Sequence, residues 1–275
     1  MKKIGFIDYY LDEWHANNYV GWIREVTNGE MQVAYAYGEI PSVNTGATSE
    51  EWCERFQVKH CQTIEEVVER SDYLIVLSPD HCHRHYDLSK LALESGKPVF
   101  VDKTFAESKA EAERIFAVAK ASPMFSSSAL RFSKKLQAVA KDDIQSLVSF
   151  GGGCPVNYII HQLEPIAVLM GTDVEKAMYT GHDSAHSWTL RYRDGRTAFV
   201  NMLPGAKFET KIVRAESTQN LAIDDDFFKY FIADLVKFYE DGKEPICRQE
   251  TINIMAIRET CLKAMEQPDQ WLNVV

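Results

Sequence analysis

The sequence lacks an excess of basic residues and any long apolar run. It has 30 Lys and Arg residues against 40 Asp and Glu residues, so the formal net charge is −10. A duplex-binding protein normally carries the opposite balance or a basic tail, and we therefore exclude nucleic acid as a partner. No run approaches the ~18 apolar residues that span a bilayer, so no membrane association is expected. The first residues carry only a short apolar stretch, which predicts no signal peptide.

The sequence also lacks the spacings of several common sites. Its six cysteines are scattered and include no Cys-x-x-Cys pair. In a chain of this length, that pattern predicts reduced thiols and a cytoplasmic protein. No Gly-x-Ser-x-Gly elbow of a hydrolase occurs. The run at 151–153 is three glycines without the Lys-Ser/Thr of a phosphate-binding loop, and we interpret it as a flexible connector.

Strand and helix signals alternate through the first half of the chain. Residues 73–77 are continuously apolar, which is typical of a strand covered on both faces. Similar short runs predict strands at 3–7, 31–37 and 98–101, with helices between them. This alternation implies right-handed βαβ units, so we predict a doubly wound parallel α/β sheet over residues 1–125. Such sheets bind ligands beyond the carboxyl ends of their strands, here near Asp8, Tyr37, Ser78 and Asp102.

The pattern changes near residue 125. Strand signals follow one another without helices between them, and residues 193–196 (RDGR) indicate a hairpin turn. We therefore predict an α+β domain over 126–275, with a mainly antiparallel open sheet and two closing helices. One face of this sheet should stay uncovered by its own helices, which predicts a homodimer or higher homo-oligomer through the open sheet.

Several stretches, in order along the chain, resemble the Gfo/Idh/MocA oxidoreductases, the family of glucose–fructose oxidoreductase and inositol 2-dehydrogenase. Residues 71–83 (SDYLIVLSPDHCH) and 92–104 (ALESGKPVFVDKT) are similar to its two central strand-end motifs. Weaker similarities lie at 131–132 (RF), 157–164 (NYIIHQLE) and 242–245 (GKEP). The chain is shorter than usual between the strand ending at Phe150 and His161.

The resemblance implies a Rossmann-like domain that binds NAD or NADP, followed by a substrate domain. It implies hydride transfer between nicotinamide and a carbinol of a sugar, cyclitol or similar small polyol. Lys103 and His161 match its catalytic lysine and histidine, and Asn157 stands at the position of a carboxylate that orients the histidine. Ser78, Pro79, His83 and Asp102 are expected on the nicotinamide side. We expect Lys103 and His161 to meet in one cleft and to supply proton transfer and oxyanion stabilisation.

The sequence departs from the family at the turn after the first strand. The Gly-x-Gly-x-x-Gly of the family is replaced by residues 8–13 (DYYLDE), which contain no glycine and three carboxylates that would repel a pyrophosphate. Glu39 lies two residues beyond the usual place of the acid that binds ribose. These departures support an alternative, a member that has lost the dinucleotide and acts as a binding or regulatory protein. An open turn with free amides would favour the enzyme, and side chains filling it would favour the alternative.

A metal site is a weaker hypothesis. His81, Cys82, His83 and His85 lie close together in sequence, but they follow Pro79 and open a predicted helix. Alternate residues of a helix point about 200° apart, so three histidines do not converge on one ion. We therefore predict no metal, and a polar helix start for His81 and His85.

Overall fold

The computed structural model describes residues 1–275, which form two compact units. The first unit comprises residues 1–127 and 232–248, and the second comprises 128–231 and 249–275. Residues 232–248 therefore belong to the first unit, whereas the sequence placed them in the second domain. No helix combines the length and the apolar character that crossing a membrane requires.

The first unit is built on a six-stranded parallel sheet, as predicted. Its strands are β1 (Lys2–Asp8), β2 (Met31–Gly38), β3 (Lys59–His60), β4 (Tyr73–Val76), β5 (Val99–Val101) and β6 (Met124–Phe125). They lie in the order β3-β2-β1-β4-β5-β6. Because β1 lies between β2 and β4, the strand order reverses there, and a ligand site is expected at the carboxyl ends of these strands.

Five helices connect these strands: α1 (Trp14–Val26), α2 (Ser49–Phe56), α3 (Ile64–Arg70), α4 (His85–Glu94) and α5 (Lys109–Val118). Three of them begin with a hydroxyl side chain that caps the helix. Thr48 and Glu51 form a complete capping box at α2, in which each side chain accepts a hydrogen bond from the other residue's backbone N–H. The side chains of Thr63 and Ser108 likewise accept the third backbone N–H of α3 and α5.

Aromatic packing explains why residues 232–248 join the first unit. Tyr239 stacks on Tyr73 with the ring centroids 4.6 Å apart, and its hydroxyl donates to the Leu74 carbonyl at 3.0 Å. Phe238 meets Phe125 edge-on at 5.0 Å. These contacts join positions more than a hundred residues apart, which periodicity alone does not reveal.

The second unit is built on a seven-stranded sheet, which is mainly antiparallel as predicted. Its strands are β7 (Ser146–Gly151), β8 (Val174–Tyr179), β9 (His186–Tyr192), β10 (Thr197–Met202), β11 (Glu209–Val213), β12 (Thr218–Ala222) and β13 (Trp271–Asn273). The order is β12-β11-β7-β10-β9-β8-β13, and the β7–β10 pair is parallel. The predicted hairpin joins β9 to β10.

The remaining helices are α6 (Lys134–Gln137), α7 (Pro155–Tyr158), α8 (Ile160–Met170), α9 (Phe227–Asp241) and α10 (Arg248–Ala264). Helix α9 begins in the second unit, and its residues from Ile232 onward belong to the first. Every residue of α8 is buried except His161, which is half-buried. The fold thus fixes α8 firmly and leaves one polar side chain of it accessible.

Candidate functional site

The candidate site of the first unit lies where β1, β4 and β5 end. Ile7 of β1 is the register partner of Val76 in β4, and Val76 is the partner of Val101 in β5. The residues at the ends of these three strands and just beyond them therefore lie side by side at one edge of the sheet. They include Asp8, the predicted Ser78 and Pro79, and the predicted Asp102 and Lys103.

Lys103 is buried, with 7% of its surface exposed, and its ammonium group donates to the Pro79 carbonyl at 3.3 Å. The two central motifs of the sequence are thus joined by a direct hydrogen bond. Ser78 has a left-handed backbone, with φ of 92°, and its hydroxyl donates to the His81 carbonyl. His83 is exposed and contacts the ring of His81.

Asp102 is paired with a histidine that the sequence analysis missed. Its Oδ2 lies 2.9 Å from Nδ1 of His15, which is on the first turn of α1. Burial raises the pKa of Asp102, but the nearby His15 and Lys103 outweigh burial and hold this pKa below its usual value. Asp102 is therefore an ionised, paired carboxylate rather than a free ligand.

Glu13 caps helix α1 with its own carboxylate. The carboxylate accepts the backbone N–H of His15 at 2.7 Å and also that of Ala16. Only 6% of Glu13 is exposed, and burial raises the pKa of its carboxyl to about 7. Free amides at a helix N-terminus are an anion site, and here an internal anion takes them.

Buried side chains stand at all three positions where the family turn has glycine. In register with Gly-x-Gly-x-x-Gly, the glycines correspond to Asp8, Tyr10 and Glu13. Tyr10 is 5% exposed, and its ring contacts those of Tyr9 and His81. Asp8 is 1% exposed, and burial raises its pKa well above the usual value although the backbone N–H groups of Tyr9 and Tyr10 lower it.

Glu39, the displaced candidate for a ribose-binding acid, has a partner within the protein. Its Oε1 lies 2.6 Å from a guanidinium nitrogen of Arg84, in the turn before α4. That guanidinium also lies over the ring of Tyr9, 5.7 Å from its centroid. Arg84 is half-buried and Glu39 is exposed, and the pair links the segment after β4 to the end of β2.

These contacts decide whether the turn fits a dinucleotide. A pyrophosphate needs free amides at the start of α1 and a close approach of the backbone, which glycine allows. Here the amides of His15 and Ala16 are taken by Glu13, and the second glycine place carries a buried tyrosine. As they stand, residues 8–16 do not fit a pyrophosphate.

In the second unit, His161 is held by Ser128. Its Nδ1 lies 2.8 Å from the Ser128 hydroxyl, and the rings of Tyr158 and Phe208 flank it at 5.2 and 5.6 Å between centroids. Asn157 lies on α7, half-buried, and its backbone N–H donates to Cys154. An orienting role for Asn157 stays a prediction, as does the meeting of Lys103 and His161.

A buried ion-pair network supports Ser128. Glu164 accepts the Ser128 backbone N–H at 3.4 Å, and its other oxygen lies 2.5 Å from Nε of Arg131. Arg131, part of the predicted motif at 131–132, also pairs with Glu250 at 2.6 Å. The network ties the segment before α6 to α8 and thereby positions the partner of His161. Because these contacts join distant positions, no local pattern in the sequence signals Ser128.

Comparison with known proteins bears on the first unit most directly. Residues 42–127 match the GFO_IDH_MocA model, described as an oxidoreductase family with an NAD-binding Rossmann fold. The predicted resemblance to the Gfo/Idh/MocA family is confirmed. The Gfo/Idh/MocA match includes both central motifs and begins after the turn at 8–13. A 57-residue stretch, 21% of this chain and 16% of the relative, is 39% identical to the uncharacterized oxidoreductase YhhX of Escherichia coli.

Solved structures confirm the fold over the whole chain. A probable dehydrogenase from Thermotoga maritima has a TM-score of 0.80 at 14% identity, with 99% of this chain and 98% of that one covered. Myo-inositol 2-dehydrogenase from Lactobacillus plantarum also gives 0.80 at 14% identity, with 100% and 99% covered. Scyllo-inositol dehydrogenase from Lactobacillus casei, solved with NAD(H) and scyllo-inositol, gives 0.79 at 14%, with 99% of each chain covered.

Proposed function

We propose that this Gfo/Idh/MocA protein is an NAD- or NADP-dependent oxidoreductase that acts on a carbinol of a sugar, cyclitol or similar small polyol. The observation that carries the proposal is Lys103, which is buried at a strand end and hydrogen-bonded to Pro79 within the matched segment. Lysine is rarely buried, and a buried lysine usually interacts with a negative charge at a functional site. The inositol dehydrogenases among the similar folds agree with a cyclitol-like substrate.

In this proposal, Lys103 and His161 divide the proton chemistry. The Lys103 ammonium has three donors and spends one on Pro79, so it retains donors for a substrate oxygen on which negative charge develops. His161, whose Nδ1 is held by the Ser128 hydroxyl at 2.8 Å, exchanges a proton with a substrate hydroxyl. Asn157 orients substrate or imidazole, and Ser78, Pro79, His83 and Asp102 face the nicotinamide.

A second candidate function rests on a specific observation. Glu13 takes the two amides that a pyrophosphate would need, which favours a member that has lost dinucleotide binding and acts as a small-molecule binding or regulatory protein. The family match favours the oxidoreductase, because it includes the strand-end lysine.

Titration of the purified protein with NADH and NADPH, followed by nucleotide fluorescence, separates the two candidates. The oxidoreductase binds at least one of them, and it then reduces NAD or NADP in the presence of a polyol from a panel of cyclitols and sugars. No binding of either nucleotide at about millimolar concentration, where even weak complexes of about −4 kcal/mol are half formed, contradicts the oxidoreductase.

We further propose a cytoplasmic homodimer that forms through the second sheet. Strand β10 alternates buried residues with half-buried or exposed ones, and its exposed residue is the large apolar Phe199. An exposed apolar side chain on an open sheet favours burial against a second copy. Light scattering that gives a strict monomer at high concentration contradicts this part of the proposal.

A further inference from the structure

The N-terminus of α1 already holds an anion that the chain supplies itself. The Glu13 carboxylate accepts two successive backbone amides, those of His15 and Ala16. A pyrophosphate oxygen bound at the start of a Rossmann helix makes the same kind of contact with the same kind of donor. Glu13 is only 6% exposed, so its side chain lies inside the turn and does not extend into solvent.

The surroundings of Glu13 are those of a ligand-binding site and not of an ordinary helix cap. Asp8 ends β1 beside this turn and is almost fully buried, and its carboxyl is reached by the backbone N–H groups of Tyr9 and Tyr10 but by no side-chain donor. A surface cap such as Glu51 at α2 has no such neighbour and is exposed. A carboxyl that is buried without a side-chain partner is costly, and carboxyl groups with a raised pKa are often found at functional sites.

Glu13 also stands at the third glycine place of the family turn. The Glu13 backbone is extended, with φ of −135°, so glycine fits there without strain. Glycine is accepted at a helix N-cap almost as well as the best capping residues. The carboxylate is therefore not required for the geometry of the turn, and its contribution is the negative charge that it places on the amides.

We propose that Glu13 is an internal substitute for the pyrophosphate of a dinucleotide: its carboxylate occupies the anion position of α1 and must leave before NAD(H) or NADP(H) binds. This inference rests on the proposed function, since it concerns the same site. It explains how a chain with the family's strand-end lysine has a turn that does not fit the cofactor. Glu13 thereby sets the affinity of the first unit for dinucleotides.

The test is an equilibrium titration with NADH, by nucleotide fluorescence and by calorimetry, on the full-length protein. Glu13→Gly removes both the charge and the competing acceptor, and Glu13→Gln removes the charge alone. We expect Kd for NADH to fall about tenfold or more in Glu13→Gly, and by less in Glu13→Gln, because charge-assisted hydrogen bonds no longer compete with the ligand. Glu51→Gln removes a carboxylate from another helix cap and is the matched control, for which Kd should not change.

Thermal unfolding checks that each variant is folded, and Glu13→Gln keeps the test informative if Glu13→Gly is unstable. Equal Kd values for the wild type and both folded Glu13 variants overturn the inference, as does a looser complex in the variants. An affinity gain without turnover of any polyol supports the inference and counts against the proposed reaction. Tight NADH binding by the wild type, with unchanged affinity in both variants, overturns the inference and supports the proposed reaction.

Discussion

Glu13 makes a prediction about stability that does not need a ligand. Burial raises the pKa of its carboxyl from 4.5 to about 7 in the folded protein. Its neighbours act in both directions: His15, whose Nδ1 lies 3.8 Å from the carboxylate, lowers this pKa, and Asp102 raises it. Asp8, at the end of β1, is coupled to the same carboxyl, since the charge of Glu13 raises the pKa of Asp8 further.

The sign of the effect follows from the direction of the shift. The folded state holds the Glu13 proton more tightly than the unfolded state, so its contribution to stability is fully present below pH 4.5. It is lost as the pH rises towards 7, where the folded protein must bury the charge. A difference of about 2.5 pKa units corresponds to roughly 3 kcal/mol of unfolding free energy. The lowered pKa of Asp102 acts in the opposite direction, but only below about pH 4, outside this window.

Urea unfolding at several pH values between 5 and 8 measures this contribution. Trp14, Trp22 and Trp52 all lie in the first unit and report its transition by fluorescence. Glu13→Gln cannot titrate, so its unfolding free energy should fall less with rising pH than that of the wild type. Glu51→Gln, which changes an exposed carboxyl with a lowered pKa, should keep the wild-type slope above pH 5. Parallel profiles for the wild type and Glu13→Gln would refute the assignment of the titration to Glu13.

Three further predictions concern the other candidate site residues. Arg131→Met should destabilise the second unit by about 3–5 kcal/mol in urea unfolding, because it leaves the buried Glu164 without its cation; a loss below about 1 kcal/mol would show that the pair is dispensable. Ser128→Ala should shift the pH profile of kcat/KM for polyol oxidation, since it removes the hydroxyl contact at Nδ1 of His161; an unchanged profile would limit Ser128 to a structural role. Lys103→Met should lower kcat by about 10²–10⁴-fold while the thermal transition changes little, and retained turnover would remove Lys103 from the chemistry.

Much of the fold could be predicted because its signals are local. Strand β4 is apolar at every position, and the caps of α2, α3 and α5 each need only a hydroxyl and the amide three residues on. The short strands β3, β6, β12 and β13 were missed because two to five residues are too few to show a period. The place of residues 232–248 depends on Tyr239 meeting Tyr73, a contact that only the folded chain creates.

In the candidate site, too, local signals could be predicted and contacts between distant residues could not. Lys103, Pro79 and Asp102 could be placed together because parallel strands end at one edge of the sheet. The partners of these residues could not, since His15 reaches Asp102 across 87 positions and Ser128 reaches His161 across 33. The sequence indicates where the polar groups collect, but it does not indicate which of them neutralise one another.

The carboxylates of the first turn show why that difference matters for function. From sequence, Glu13 is a charge that repels a pyrophosphate; in the folded chain it is also a ligand of the same amides. Its raised pKa means that the ionised carboxylate lies in this turn at a cost relative to water. If Glu13 leaves the amides for solvent, its pKa returns towards 4.5 and a proton is released when the pH is below 7. By linkage, opening of the turn becomes easier as the pH rises to about 7, so a proton and a dinucleotide oppose each other through one side chain. Glu13 therefore opposes the ligand in two separable ways: its charge repels the ligand, and its side chain occupies the ligand's site. Only the occupation of the site weakens as the pH rises to about 7.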